Sequence, residues 1–197
     1  RALLRPAPRL YIERLENNRR LKLVFRPAVL LLYKLEGYMS LNDDGKCREL
    51  IAKLDGMKLQ PRDRLQFYQT KLSFYAYAGD GEQAKATLTQ LEDFLHKSGA
   101  DEVDQYKKLL RQARQIVAVY VDKDISMLPK LQRQAAATKD GADRGLLQFR
   151  IAKLSHYAGN EDQAEVYLNR AAKNLKNTAY SVIIDSALED HSVLERF

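Results

Sequence analysis

Two stretches of this chain repeat each other. Tyr77-Ala-Gly-Asp-Gly-Glu-Gln-Ala84-Lys-Ala-Thr-Leu88 and Tyr157-Ala-Gly-Asn-Glu-Asp-Gln-Ala164-Glu-Val-Tyr-Leu168 share Tyr, Ala, Gly, Gln, Ala and Leu, and exchange Asp for Asn at the fourth position. Upstream, Leu65-Gln-Phe and Lys71-Leu-Ser73 match Leu147-Gln-Phe and Lys153-Leu-Ser155, with two extra residues in the first copy. Self-similarity at a spacing of tens of residues signals stacked supersecondary units, each too small to bury its own apolar face. The two copies stand about two helical-hairpin repeats apart. A further unit is therefore expected between them, around the turn Asp122-Lys-Asp124, and another turn, Asn42-Asp-Asp-Gly-Lys-Cys47, lies about one repeat earlier.

Apolar spacing identifies the units as helical. Leu65, Leu72, Tyr75 and Ala76 fall on one side of a helix, as do Leu109, Ile116, Val117 and Tyr120, and Ala164, Leu168, Ala171 and Leu175. No useful stretch alternates with period two. Turn signals at 42–45, 56–61, 79–81, 97–99, 122–124, 139–141 and 159–160 separate the periodic runs. The pattern predicts an all-α chain of about ten helices, near 8–24, 27–41, 44–56, 61–79, 81–98, 101–121, 124–138, 142–158, 160–176 and 178–195.

These residues resemble tetratricopeptide repeats. Gly159, Asn160, Ala164 and Ala171 match that family's turn and its small residues, and Ala152 stands where the first helix carries a small residue. Gly79, Asp80 and Ala84 match as well, while Leu72 and Leu91 replace small residues, and Cys47 and Met127 stand where Ala is expected in the other two units. The resemblance is good over 145–176, fair over 65–97 and weak over 28–56 and 102–138. It implies a right-handed superhelix of antiparallel helical hairpins with divergent repeats over 27–177, preceded by a basic N-terminal segment over 1–26 and closed by a capping helix over 178–197. It also implies a concave groove lined by first helices, which nominates Gln69, Ser73, Tyr77, Gln112, Phe149, Lys153, His156 and Tyr157 as partner-binding residues. The Lys/Asn constellation by which some relatives clamp a C-terminal carboxylate is not evident.

Charge is unevenly placed. Of the net charge of +7, most resides in residues 1–26, where Arg1, Arg5, Arg9, Arg14, Arg19, Arg20, Lys22 and Arg26 face only Glu13 and Glu16. The rest of the chain is nearly neutral, unlike a domain that spreads cations over a nucleic-acid face, so nucleic acid is not the expected partner. Arg5, Arg9, Arg14, Arg19, Arg20, Lys22 and Arg26 form a candidate basic surface. Three readings suit it: a solvated helix, an acidic membrane surface or adjacent membrane anchor, or contact with an acidic protein or nucleic acid. Leu10, Tyr11, Leu15, Leu21, Leu23 and Phe25 interleave with these cations and are expected to pack on the first hairpin. The chain begins at Arg1 without methionine, which admits an upstream membrane helix with an Arg-rich cytoplasmic flank. The longest apolar run, around Ala28–Tyr33, is far short of the ~20 residues that a span requires.

Catalytic chemistry is not expected. One cysteine, Cys47, makes neither an internal disulfide nor a zinc site, and a reducing, cytoplasmic setting at or near the membrane face suits it. Cys47 reads as packing before it reads as a reactive thiol. His96, His156 and His191 lack ligand spacing. His156 reads first as a helix-end histidine and second as a groove residue. Asp43-Asp44 and Asp122-x-Asp124 lack the calcium-loop pattern and read as helix caps. Eleven tyrosines suit either interhelical packing or a binding groove. The expectation is a non-catalytic scaffold that binds a peptide or a partner helix, with no cofactor and no metal. The alternative is the cytoplasmic part of a membrane-anchored assembly protein, and RNA binding by the helical repeat is a third reading that the nearly neutral body argues against.

Overall fold

In the computed structural model, residues 7–99, 103–176 and 178–195 are described, at positions 22 and 179 by backbone alone. The chain is all-α, and the described residues contain no strand. It divides within one helix into two compact units, Arg1–Ala113 and Arg114–Phe197.

The first unit holds α1 (Pro8–Asn17), α2 (Arg19–Val24), α3 (Pro27–Ser40), α4 (Asp44–Asp55), α5 (Pro61–Tyr77), α6 (Gly81–Lys97) and the first part of α7 (Asp104–Tyr120). Prolines at the starts of α1, α3 and α5 set those helix beginnings, because the ring fixes φ where no intrahelical donor is needed. Within this unit α3 pairs with α4, α5 with α6, and α1 lies on α3. Gly37 allows that last approach: a Cβ there would stand 2.5 Å from Ile12 Cδ1. Tyr11, Ile12 and Leu15 are buried, with Leu21, Phe25 and Tyr33 half-buried around Tyr11 and Leu15. Leu10 and Leu23, expected to pack there as well, are exposed.

The second unit holds the rest of α7, a short 3-10 turn (Ile125–Met127), α8 (Leu128–Ala137), α9 (Gly141–Tyr157), α10 (Glu161–Asn174), α11 (Ala179–Glu189) and a C-terminal 3-10 segment, His191–Glu195. Here α9 pairs with both α8 and α10, and α11 lies on α10. Ala152, Ala164 and Ala171 are fully buried. Small side chains at a crossing let two helix backbones come close.

The repeated turn is one backbone motif used three times. At Gly79 and Gly159 the backbone takes φ of +76° and +73°, and at Asn42 it takes +53°. The following residue then closes the helix: Asp43, Asp80 and Asn160 donate their N–H groups to the Tyr38, Tyr75 and Ser155 carbonyls at 3.1, 2.9 and 2.9 Å. The side chains of the same three residues cap the next helix, accepting from the amides of Lys46, Gln83 and Gln163. Five residues after each left-handed position come Cys47, Ala84 and Ala164, all fully buried. The unit around Asp122 departs from this. Lys123 takes the left-handed position, but a 3-10 turn and Pro129 follow, and Met127 stays half-buried.

Three expected helices are broken. The 8–24 helix splits at Asn18, whose side chain accepts from the Arg20 amide and so restarts the chain as α2. The 124–138 helix opens as the 3-10 turn. The 178–195 helix ends at Glu189, and Asp190 caps the 3-10 segment through Ser192 instead. Residues 1–6, 100–102, 177 and 196–197 of the expected ranges lie outside the described residues.

Candidate binding site

The repeat register places Gln69, Ser73 and Tyr77 on α5 where Phe149, Lys153 and Tyr157 stand on α9. Residues spaced by four share one helix face, so each trio forms a row. The two rows have different surroundings.

On α9 the row is covered by the chain itself. Phe149 is 1% exposed and packs against Ala152, Leu168, Ile184, Ala187 and Leu194, with the Tyr180 ring edge-on at 5.6 Å. It is buried beneath the chain's own C-terminal residues rather than exposed. The side chain of Lys153 is also fully buried. Its ammonium donates to the main-chain carbonyl of Leu194 and lies 5.1 and 5.4 Å from the ring centres of Tyr157 and Tyr120. Tyr157 donates its hydroxyl to the same carbonyl at 3.3 Å. Burial, helped by the nearby Lys123 charge and opposed by Glu195, brings Lys153 down to about 7. Burial and then Glu195 push the Tyr157 hydroxyl up to about 12. Lys123 sits 4.4 Å from the centre of the Tyr157 ring. Burying an ammonium is costly, and here the carbonyl and the aromatic faces offset part of that cost.

Beside this row lies a carboxylate–imidazole cluster. Glu161 accepts from Nδ1 of His156 at 2.8 Å through one oxygen and from Nδ1 of His191 at 2.6 Å through the other. Nε2 of His156 is 3.6 Å from Glu195. Burial raises the Glu161 carboxyl, but the hydrogen bonds from His191 and His156 outweigh it and hold it below the ordinary value. The cluster therefore fastens both ends of the 3-10 segment. Among the described residues no group of three or more His, Cys, Asp or Glu side chains is placed to hold a metal ion.

On α5, Gln69 is exposed while Ser73 and Tyr77 are half-buried, and Gln112 on α7 is exposed. The Lys71-Leu-Ser73 match with Lys153-Leu-Ser155 does not survive folding. The turns align Ser73, not Lys71, with Lys153, and a shift of two residues carries a side chain to the opposite side of a helix. Lys71 instead reaches both Asp55 carboxylate oxygens at 2.8 Å, with Gln90 at 3.5 Å, and ties α5 to α4 and α6.

The basic surface divides. Arg26 pairs with Asp63 at 2.9 Å. Arg9, Arg14, Arg19 and Arg20 are all exposed, Arg5 lies outside the described residues, and Lys22 is described by backbone alone. An open hollow of about 430 Å³ on α10 is lined by Asn160, Asp162, Gln163, Val166, Tyr167 and Arg170, and contains none of the nominated groove residues. Among the described residues no helix is long and apolar enough to cross a membrane.

Sequence reasoning does not single out Glu161, His191, Leu194 or Glu195 as site residues. Glu161 sits just after a helix cap and His191 thirty positions on, so no spacing rule connects them. Comparison with protein-family models, with curated proteins and with solved structures finds no match.

Proposed function

We propose that this chain is a non-catalytic protein–protein interaction module, built of tetratricopeptide-like hairpins in a right-handed superhelix, that takes a peptide or partner helix along its first-helix rows. The observation that carries this reading is the α9 row. There Phe149 receives apolar side chains, while Lys153 and Tyr157 converge on one main-chain carbonyl of the 3-10 segment. A bound segment is held in the same way, by a buried apolar anchor and by polar groups that fix its main chain. The chain's own residues 179–195 act as that segment in cis. The α5 row repeats the register with Gln69, Ser73 and Tyr77, which suit a more polar occupant.

The test uses a labelled peptide copying residues 178–197. A tethered segment competes at an effective concentration in the mM range for a short linker, so the intact chain should bind the peptide weakly. The variant His191→Ala/Glu195→Ala changes only surface contacts of the segment and should bind it measurably more tightly by fluorescence anisotropy. Adding Tyr157→Ala should remove that gain. An absence of binding to the loosened variant, with its helical circular dichroism intact, would overturn the reading.

A further inference from the structure

The outer face of α2 carries four residues in two adjacent rows: Arg19 and Arg20, then Leu23 and Val24 one turn later. All four are exposed, and Leu23 and Val24 are 88% and 74% exposed, the two most exposed large apolar side chains among the described residues. Neither arginine side chain has a partner among the described residues. Arg9 and Arg14 on α1 are likewise exposed and unpaired among them, whereas Arg26 is engaged by Asp63. Of the two acids in this region, Glu16 is held by Lys34 at 3.3 Å and by the Tyr38 hydroxyl at 3.1 Å, and Glu13 is exposed on α1, so the cations there still outnumber the free carboxylates.

Behind this face the elbow is well anchored. Tyr11, Ile12 and Leu15 are buried, and Phe25 meets the Tyr33 ring at 5.8 Å. The exposed apolar pair is therefore presented on a packed support. Unpaired guanidinium groups alone would suit any polyanion. Two fully presented aliphatic side chains in the same helix stripe add nothing to a phosphate backbone, but they enter the headgroup–acyl boundary of a bilayer.

We propose that the α1–α2 elbow docks on an anionic lipid bilayer, with Leu23 and Val24 entering the interface and Arg19 and Arg20 facing the lipid phosphates. Two aliphatic side chains and two adjacent cations make a reversible, salt-dependent attachment, because stable anchoring takes more apolar area than this. The proposal does not depend on the α9 row.

Co-sedimentation of the full chain with vesicles tests it. Vesicles of phosphatidylcholine alone should leave the protein in solution, and vesicles of phosphatidylcholine mixed equally with phosphatidylglycerol should pellet it at low salt. Each surface cation removed should lower partitioning about fivefold, so Arg19→Gln/Arg20→Gln should lower it about 25-fold. Arg62→Gln/Arg111→Gln, which removes exposed arginines elsewhere, should cost much less. Leu23→Ser/Val24→Ser should weaken binding and should not be rescued by lowering the salt. The proposal is overturned if anionic vesicles leave the chain in solution or if the two arginine pairs act alike. It is also overturned if the Leu23/Val24 variant binds as the parent does, which would mark a purely electrostatic polyanion surface such as one for RNA.

Discussion

The Lys153 ammonium donates to the carbonyl of Leu194, so a fully buried lysine of the second unit is satisfied by the main chain of a segment forty-one residues away. That contact joins the last 3-10 segment to the C-terminal part of α9. It also leaves a cation in a site that disfavours charge, and this has a measurable consequence.

Lys153 should make the second unit more stable as pH rises above neutrality. Its folded value is lowered from 10.5 to about 7. Between those values the unfolded chain carries a proton that the folded chain lacks. Stability therefore rises with pH across that window, with a slope of up to ~1.4 kcal/mol per pH unit, and the penalty is fully present below about pH 7. Lys153→Met should remove this slope. Urea unfolding of both proteins at neutral and mildly alkaline pH checks it, and equal pH dependence in the two would refute it.

Two glycines in helices should respond to alanine with opposite signs. At Gly145 a Cβ would stand 2.7 Å from Leu175 Cγ and 2.9 Å from Asn174 Cβ, so α9 and α10 must separate. Overpacking of this kind costs about 1–3 kcal/mol, more than the ~1 kcal/mol that alanine returns in helix propensity. At Gly45 the nearest atom is Asp43 Oδ1 at 3.7 Å, an ordinary contact. Gly145→Ala should lower the melting temperature and Gly45→Ala should raise it.

Cys47 should be inert until the chain opens. It is fully buried, and burial, followed by Asp44 and Asp43, pushes its thiol up to about 12. A thiol reagent should label it only at the rate of unfolding. Cys47→Ala should cost only ~1 kcal/mol, since Ala84 and Ala164 occupy the same place in the other copies of the turn. Cys47→Leu should cost about 1–3 kcal/mol more through overpacking.

Glu161→Gln should loosen the 3-10 segment without unfolding the unit. The carboxylate is half exposed, which limits each interaction to roughly 0.2–1 kcal/mol. Amide exchange over 191–195 should accelerate up to about fivefold per lost interaction, while exchange in α9 stays unchanged. Because the folded Glu161 carboxyl lies below its ordinary value, its contribution is present at neutral pH and is lost as pH falls through that lowered value. Acid should therefore loosen the parent segment and have less effect on the variant.

Much of the fold is legible from local chemistry. The Gly79-Asp80 and Gly159-Asn160 turns announce themselves because a left-handed residue followed by a capping side chain is a short-range requirement. Asn42-Asp43 follows the same rule with asparagine in place of glycine. Ala84, Ala164 and Ala171 mark helix contacts because a small side chain at a fixed offset from the turn is what a close helix crossing requires. The breaks at Asn18 and Asp190 are not legible in this way, since helical periodicity runs through both. Only a side-chain cap, formed in preference to one more helical turn, ends the helix there.

The site residues divide along the same line. The tetratricopeptide resemblance nominates Lys153, His156 and Tyr157, and their i, i+3 and i+4 spacing puts these side chains on one face. Whether that face is open or covered is not a property of the helix. Phe149 stands in the same row as Tyr157 and is core, because α11 and the segment after it return across α9.

From sequence alone came the helical class, the three turns and the side chains that meet at the hairpin crossings, since all of these depend on interactions within a few residues of one another. Tertiary structure decided that Lys153 is buried, that Glu161 joins His156 to His191, and that Leu23 and Val24 stand exposed beside Arg19 and Arg20. Those outcomes depend on which distant segments return to the same place, and chain periodicity carries no record of that.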